Sequence, residues 1–355
     1  MKIHFVISGL KGGGAERVLL LLSNALAKKG HQIGIITFNG PDAFSPDEPV
    51  ERIRLHKGKF PNHTLRSMMN LGSYYSKREN RPELIISFMP SISFIAIPIG
   101  KIFQIKTIAC EHINHERKDS RIDQFTREKM YRFADFLTVL TSFDVEYYRK
   151  HRAKVVVMPN PSTFKILDKV PKNKQKIILA IGSLDRYEHK GFDNLLDILP
   201  PLAEKFPDWK LQIIGKGKKG LTYLLDKTKR LHLENFVEFL GFRNDVDTIM
   251  KASEIYVLPS RYEGLPMVLI EAMSQGMACI AYNCKTGPSD IISDRYNGLL
   301  IEDQNKMALQ LGLEELMADP PLRKNLAENA LQSMEEFQTD TIISKWETLF
   351  KALKL

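Results

Sequence analysis

Two consecutive α/β domains, each built on a doubly wound parallel sheet, are what this 355-residue sequence predicts. Three observations lead there. Short runs of β-branched and aliphatic residues alternate with helix-length segments, which is the pattern of a parallel sheet covered on both faces. The alternation is interrupted by a proline-rich polar stretch, MPNPSTFKILDKVPKNKQ (158–175), and then begins again. The length itself favours two domains over one.

In the first half the pattern places strands at 2–8 (KIHFVIS), 32–38 (QIGIITF), 52–57, 84–89 (LIISFM), 106–111, 136–140 and 154–158. AERVLLLLSNALAKKG (15–30) predicts a helix: apolar residues recur at helical spacing, lysines fill the last turn, and glycine stops it. Leu84–Gly100 carries no charge, yet it holds Pro90 and Pro98 and falls short of the roughly 20 residues of a membrane span. It reads as a buried strand followed by a buried helix. TLRSMMNLGSYYSKREN (64–80) predicts an amphipathic helix that faces either the core or a membrane surface. After the linker, strands are expected at 176–182 (KIILAIG), 210–215, 237–241, 254–259, 278–283 and 298–301. The tail from Pro320 to Leu355 reads as helical throughout and ends in the amphipathic TIISKWETLFKALKL.

Apolar residues make up 43% of the chain and charged residues 26%, ordinary values for a globular protein with its own core. The three cysteines, Cys110, Cys279 and Cys284, form no CxxC pair. They are expected to be buried thiols in a reducing compartment. The opening MKIHFVISGLKGGG is too short and glycine-rich for a secretory leader. The net charge of +9 is uneven. Residues 1–160 hold 25 lysines and arginines against 15 acidic residues, and the remainder holds 26 against 27. The basic half suits an anionic partner: a phosphorylated acceptor, an anionic membrane surface or nucleic acid. A solubilising surface would give the same count.

Four stretches carry candidate chemistry. In YEGLPMVLIEAM (262–273), Glu263 and Glu271 stand eight positions apart in an otherwise uncharged segment. Pro266 suits the first position of a helix, Gly264 permits a sharp entry, and Leu265 supplies no side-chain cap. The amides of Met267 and Val268 are then free to hold an anion. A diphosphate on that helix start would leave one carboxylate for hydroxyls on each side of it. A surface glutamate plus a structural one is the bland alternative. SGLKGGGAERV (8–18) follows the first strand, and Gly12, Gly13 and Gly14 allow close backbone approach at a helix start, or simply a tight turn. IGSLDRYEHKGF (181–192) follows the first strand of the second half and offers Arg186 and Lys190 to a phosphate. ACEHINHE (109–116) sets His112 at the end of another strand. His112, His115 and His189 show no metal-ligand spacing.

These stretches, in this order, resemble the retaining glycosyltransferases of family 4, over essentially the whole chain. GGGAERV resembles that family's first-domain loop, MPNP the start of its interdomain linker, GSLDRYEHKGFD its phosphate loop, and EGLPMVLIEAM its E-x7-E motif. The resemblance implies a GT-B fold, with two Rossmann-like domains facing a cleft. It sets limits at 1–160 for an acceptor-binding domain and 161–338 for a nucleotide-sugar-binding domain, with 339–355 a helix crossing back onto the first. It implies no metal and no cofactor, the nucleotide sugar being a co-substrate. Carried over, Glu271 would bind the ribose hydroxyls, Glu263 the donor sugar, and the amides of Gly264, Leu265, Pro266 (which has none to give), Met267 and Val268 the sugar hydroxyls and phosphate. Lys190 would hold the diphosphate and His112 would touch the sugar near the reacting carbon. Gly13 and Gly14 would approach the phosphates or the acceptor. The family usually has arginine directly after the glycine of the phosphate loop, where this chain has Ser183; Arg186 is the residue that could replace that charge.

GGGAERVLLLLSNAL, LIISFM and CEHINHE are similar to bacterial enzymes that extend undecaprenyl-diphosphate-linked or surface-polysaccharide glycans. This implies a nucleotide-diphosphate hexose or N-acetylhexosamine donor, UDP-linked rather than GDP- or ADP-linked, and a lipid-linked glycan acceptor. It also implies a cytoplasmic protein in peripheral contact with the anionic inner membrane. No carboxylate is poised as a covalent nucleophile, so the expected reaction is a same-face displacement with retention. Two rivals stand beside this reading. One is a sugar-nucleotide epimerase on the same fold; the other is a non-enzymatic nucleic-acid-binding protein, for which no known module is present.

Overall fold

The computed structural model describes residues 1–11, 13–43, 45–58, 61–117 and 120–354. They form two units, Met1–Thr163 with Thr339–Leu355, and Phe164–Gln338. Each is a parallel sheet wound in both directions from its first strand, because each right-handed crossover must return to a parallel neighbour.

The first unit has seven strands: β1 Lys2–Ile7, β2 Gln32–Thr37, β3 Glu51–Arg54, β4 Leu84–Phe88, β5 Lys106–Cys110, β6 Phe136–Val139 and β7 Val155–Val157. Their spatial order is β3-β2-β1-β4-β5-β6-β7, and every pair is parallel. The second unit has β8 Gln175–Ile181, β9 Lys210–Ile214, β10 Val237–Gly241, β11 Ser253–Leu258, β12 Ala278–Tyr282 and β13 Leu299–Ile301, in the order β10-β9-β8-β11-β12-β13. Central strands such as β4 and β12 are buried along their whole length, which is why they read as unbroken apolar runs. All thirteen lie where the apolar pattern places them, within a few residues at each end.

The helices follow the sequence pattern with three differences. Gly14–Lys28 buries Val18, Leu19, Leu22 and Leu26 as one stripe. The uncharged stretch resolves into β4 and the helix Pro90–Ile102. The segment from 64 forms the helix His63–Ser76, which turns Leu71 and Tyr75 into the core and leaves Leu65 and Met69 exposed. Its last residues instead form a separate 3-10 turn, Arg78–Asn80. The tail is not one helix. Pro320–Ser333 and the short turn Met334–Phe337 end at Gln338, whose ψ of 143° breaks the chain's course. The third difference, one residue at Pro266, bears on the site below.

The final helix, Thr339–Ala352, buries Ile342, Ile343, Trp346, Leu349 and Phe350. It packs against Gly14–Lys28 in the first unit. Glu347 Oε1 lies 2.7 Å from His31 Nε2, and the His31 ring meets Phe350 edge-on at 5.9 Å. Among the described residues no helix is long and apolar enough to cross a membrane. The three thiols are buried.

The C-terminal seam generates one prediction. Phe350, 2% exposed, should cost about 3–5 kcal/mol when cut to alanine. Its ring lies 5.9 Å from Trp346, so the expected outcome is a lower urea midpoint followed by tryptophan fluorescence.

Candidate active site

In the second unit the strand order reverses between β8 and β11, and ligands of such sheets bind beyond the strand ends at that reversal. β8 and β11 are parallel neighbours, so the loops that follow them leave from the same edge. The loop after β8 ends in a short helix, Tyr187–Lys190, closed by Gly191 at φ 69°. A Cβ on Gly191 would lie 1.8 Å from the Pro259 carbonyl oxygen in the loop after β11. Only glycine lets the two backbones come this close. As a result Lys190 Nζ sits 2.7 Å from Glu263 Oε1, with 18% and 11% of the two side chains exposed. Ser260 Oγ donates to the same oxygen at 2.7 Å.

Two further contacts fix this edge. Arg261 grips Asp193 through both terminal nitrogens, at 2.8 and 2.9 Å, and its amide donates to the His189 carbonyl at 2.9 Å. From the loop after β12, Thr286 Oγ1 donates to the Glu263 carbonyl. Gly287, at φ 93°, brings its Cα so close that a Cβ would lie 2.1 Å from the Gly264 carbonyl and 2.5 Å from Pro266 Cδ. Gly287 therefore occupies the left-handed position at this corner, whereas Gly264 is not among the glycines with positive φ.

The helix Met267–Ser274 starts one residue later than the sequence predicts, with Pro266 as its N-cap and no side-chain cap. The Pro266 carbonyl accepts from Leu269 and Ile270 at 3.0 and 3.3 Å. The amides of Met267 and Val268 have no partner among the described residues. That end of the helix therefore carries unpaired donors and the positive end of the dipole, a ready site for an anion. Leu265 beside it is 7% exposed, and Glu271, within the helix, 8%. The structure thus brings Lys190, Glu263 and the 264–268 segment to one edge.

Arg186 is placed differently. It closes the 3-10 turn Leu184–Arg186, is exposed, and has Nη2 2.8 Å from His189 Nε2. Its guanidinium makes no hydrogen bond or ion pair with Lys190 or Glu263 among the described residues.

In the first unit, β1 leads to the glycine loop, of which Gly12 lies outside the described residues. Gly13 caps the helix Gly14–Lys28 at φ −80° and donates its amide to Glu16 Oε2 at 3.0 Å. A Cβ on Gly13 would meet nothing closer than 3.8 Å, and one on Gly14 nothing within 4 Å. Neither the backbone nor the packing of this chain requires glycine there. His112 follows β5 and stacks on Phe88 with ring centroids 4.6 Å apart. Both its ring nitrogens are shielded from water and have no hydrogen-bond partner among the described residues. Burial lowers its pKa to about 4, so the ring is neutral at physiological pH. Beside it Met89 holds φ 80° and ψ 149°, a strained conformation for a residue with a side chain. Among the described residues no three His, Cys, Asp or Glu side chains are grouped as a metal ion would need.

Sequence reasoning passed over Ser260, Arg261, Thr286, Gly287 and Glu111. The first four sit at the ends of β11 and β12. Ser260 and Arg261 stand just before the glutamate already singled out, whereas Thr286 lies 23 positions beyond it in the chain. Glu111 directly precedes His112, and its role depends on partners 16 to 37 residues away, which no local pattern reveals.

Comparison with known proteins gives two family matches. Residues 12–162 match Glycosyltransferase Family 4, and residues 162–333 match Glycosyl transferases group 1. A Campylobacter jejuni relative is 31% identical, over 100% of this chain and 99% of its own length. It is named GalNAc-alpha-(1->4)-GalNAc-alpha-(1->3)-diNAcBac-PP-undecaprenol alpha-1,4-N-acetyl-D-galactosaminyltransferase. Among solved structures, the lipopolysaccharide outer core galactosyltransferase WaaB superposes with a TM-score of 0.81 at 20% identity, covering 100% of both chains. Anabaena HepE in complex with UDP superposes with a TM-score of 0.80 at 18% identity, covering 99% of this chain and 100% of that one. The two structures show a shared GT-B fold.

The buried histidines predict acid sensitivity. Burial lowers His4 to about 3 and His112 to about 4, from about 6.5 in an unfolded chain. Between those values the unfolded state binds more protons. Stability is therefore fully present above pH 6.5 and is lost as pH falls toward 4 and 3. Replacing His112→Asn should flatten some of that fall, measured as urea midpoints between pH 7 and pH 4.

Proposed function

Because the chain belongs to the family 4, group 1 glycosyltransferases, we propose that it transfers an N-acetylhexosamine or hexose from a UDP-sugar, with retention, to a lipid-linked bacterial surface glycan. Membership makes it a glycosyltransferase and sets aside the epimerase and nucleic-acid-binding readings. The observation that carries the donor half is the uncapped start of Met267–Ser274 beside the Lys190–Glu263 pair.

In this reading the diphosphate lies against the Met267 and Val268 amides and draws Lys190 away from Glu263. Glu263 then accepts from hydroxyls of the donor sugar, and Glu271 from those of the ribose. The bond from the anomeric carbon to the diphosphate oxygen breaks as the acceptor oxygen bonds the same carbon on the same face. The departing diphosphate takes the acceptor's proton, and the fixed ammonium and amides stabilise its charge. His112, neutral, acts on the sugar near the reacting carbon. Retention is supported by the α linkage in the Campylobacter relative's name, and uridine by the UDP in the HepE structure. The lipid-linked acceptor is supported by that same relative's undecaprenol substrate, by the basic first half, and by Leu65 and Met69 standing exposed beside Arg66. That combination suits an anionic membrane surface on the cytoplasmic side.

Calorimetric titration of UDP, GDP and ADP tests the donor site. UDP should bind wild type, and Glu271→Ala should weaken it about tenfold or more, the loss of hydrogen bonds to a charged group. Binding of none of the three would remove the donor reading. For turnover, Lys190→Ala should lose about 10²-fold or more, as for removal of a preorganised donor. Full activity in Arg186→Ala would show that the charge missing at Ser183 is not supplied by Arg186.

A further inference from the structure

His112 makes no hydrogen bond through either ring nitrogen among the described residues. Its ring stacks on Phe88 and is fixed by no hydrogen bond of its own, so the course of its backbone bears directly on where the ring lies. That backbone is clamped from both sides by the residue before it. Glu111, 2% exposed, gives its amide to the Thr138 carbonyl on β6 at 2.9 Å. Its Oε1 reaches past His112 to accept from the Ile113 amide at 3.3 Å. The other carboxylate oxygen accepts from Arg127 Nε at 3.0 Å, Tyr131 OH at 3.1 Å and Tyr148 OH at 3.2 Å.

These partners are buried too: Arg127 is 3% exposed, and Tyr131 and Tyr148 are 0%. Arg127 also donates Nη1 to the Arg117 carbonyl at 3.1 Å, and it lies in a single π-helical turn, Thr126–Met130. Such turns concentrate at functional sites. A second buried carboxylate holds the far end of the same loop. Asp144, 4% exposed, accepts at one oxygen from the His115 amide at 2.9 Å, with His115 Nδ1 2.7 Å away.

A buried carboxylate–guanidinium pair is weak evidence for stability, since well-packed apolar residues of the same volume often serve as well or better. What a fully satisfied buried network does supply is a fixed geometry. We propose that Glu111 is a positioning residue for His112, its carboxylate tied by Arg127, Tyr131 and Tyr148 so that the loop holds the imidazole against Phe88. The consequence for transfer rests on the reading above that His112 acts on the donor sugar.

The position of the imidazole can be read without substrate. In protein labelled at histidine ¹³Cε1, the His112 resonance is assigned by its loss in His112→Asn, and the stacked Phe88 ring shifts it. In Glu111→Gln that resonance should move or broaden, while the resonance of His4, buried in the same unit, stays in place. An unchanged His112 resonance in folded Glu111→Gln would overturn the proposal. If Glu111→Gln does not fold, Tyr148→Phe and Tyr131→Phe each remove one donor from the carboxylate and should move the same resonance.

A kinetic cycle reads the consequence with the nucleotide sugar that turns over. Glu111→Gln should lower kcat about tenfold or more, with UDP affinity within about twofold of wild type. In a His112→Ala background it should cost nothing further, since residues that act as one unit are not additive. A second full loss in that background would make Glu111 a general scaffold and overturn the proposal. Full activity in His112→Ala alone, with the resonance still moved by Glu111→Gln, would instead defeat the reading of His112 and leave the positioning intact.

Discussion

The Lys190–Glu263 pair exists because two neighbouring parallel strands end side by side and nothing larger than hydrogen stands between the loops that follow them. β8 and β11 fix the edge, and Gly191 against the Pro259 carbonyl fixes the separation. The rest of that edge depends on this contact. Arg261 can reach Asp193 and the His189 carbonyl only because the two loops touch. A side chain at position 191 would push them apart and separate the ammonium from the carboxylate 73 positions along the chain. On the next strand Gly287 has the same role, letting the loop after β12 lie under the start of Met267–Ser274.

The pair is also a way of keeping two largely buried charges at low cost while no ligand is present. An ammonium and a carboxylate taken out of water each need a partner. A ligand that presented an anion to Lys190 and hydroxyls to Glu263 would replace both halves of the pair, while Ser260 Oγ already donates to Glu263 Oε1 at 2.7 Å.

The fold was legible because parallel strands buried on both faces read as apolar runs: β4 and β12 are buried throughout, and β8 and β11 carry such runs at 177–180 and 255–258. Glu263 and Glu271 stood out because they lie in an otherwise uncharged stretch, and Lys190 because it follows the first strand of the second half. What escaped had non-local causes. Pro266 sits at the cap and not inside the helix because the Gly287 loop packs against its ring. Arg186 was read as a phosphate ligand from its place after the first strand of the second half; its side chain meets His189. Ser260 and Thr286 carry no signal of their own and gain meaning only once Glu263 is seen to lie between them.

Both units reach the same solution to one problem. A side chain on a loop is mobile unless something rigid holds the loop, and the rigid elements of these folds are strands and buried helices. In each unit a carboxylate close in sequence to the candidate residue ties its loop to such an element. Asp185, one residue before Arg186, accepts from the Gly220 amide at the start of the helix Lys218–Arg230. Glu111, one residue before His112, is tied to β6 through its amide and to Arg127 through its side chain. The difference is in depth. Asp185 lies on an exposed turn, where a lost hydrogen bond is replaced by water at small cost. Glu111 is buried with its cation, so breaking its bonds leaves an unpaired charge with no water to take its place. The loop that carries His112 is therefore the more rigidly held of the two.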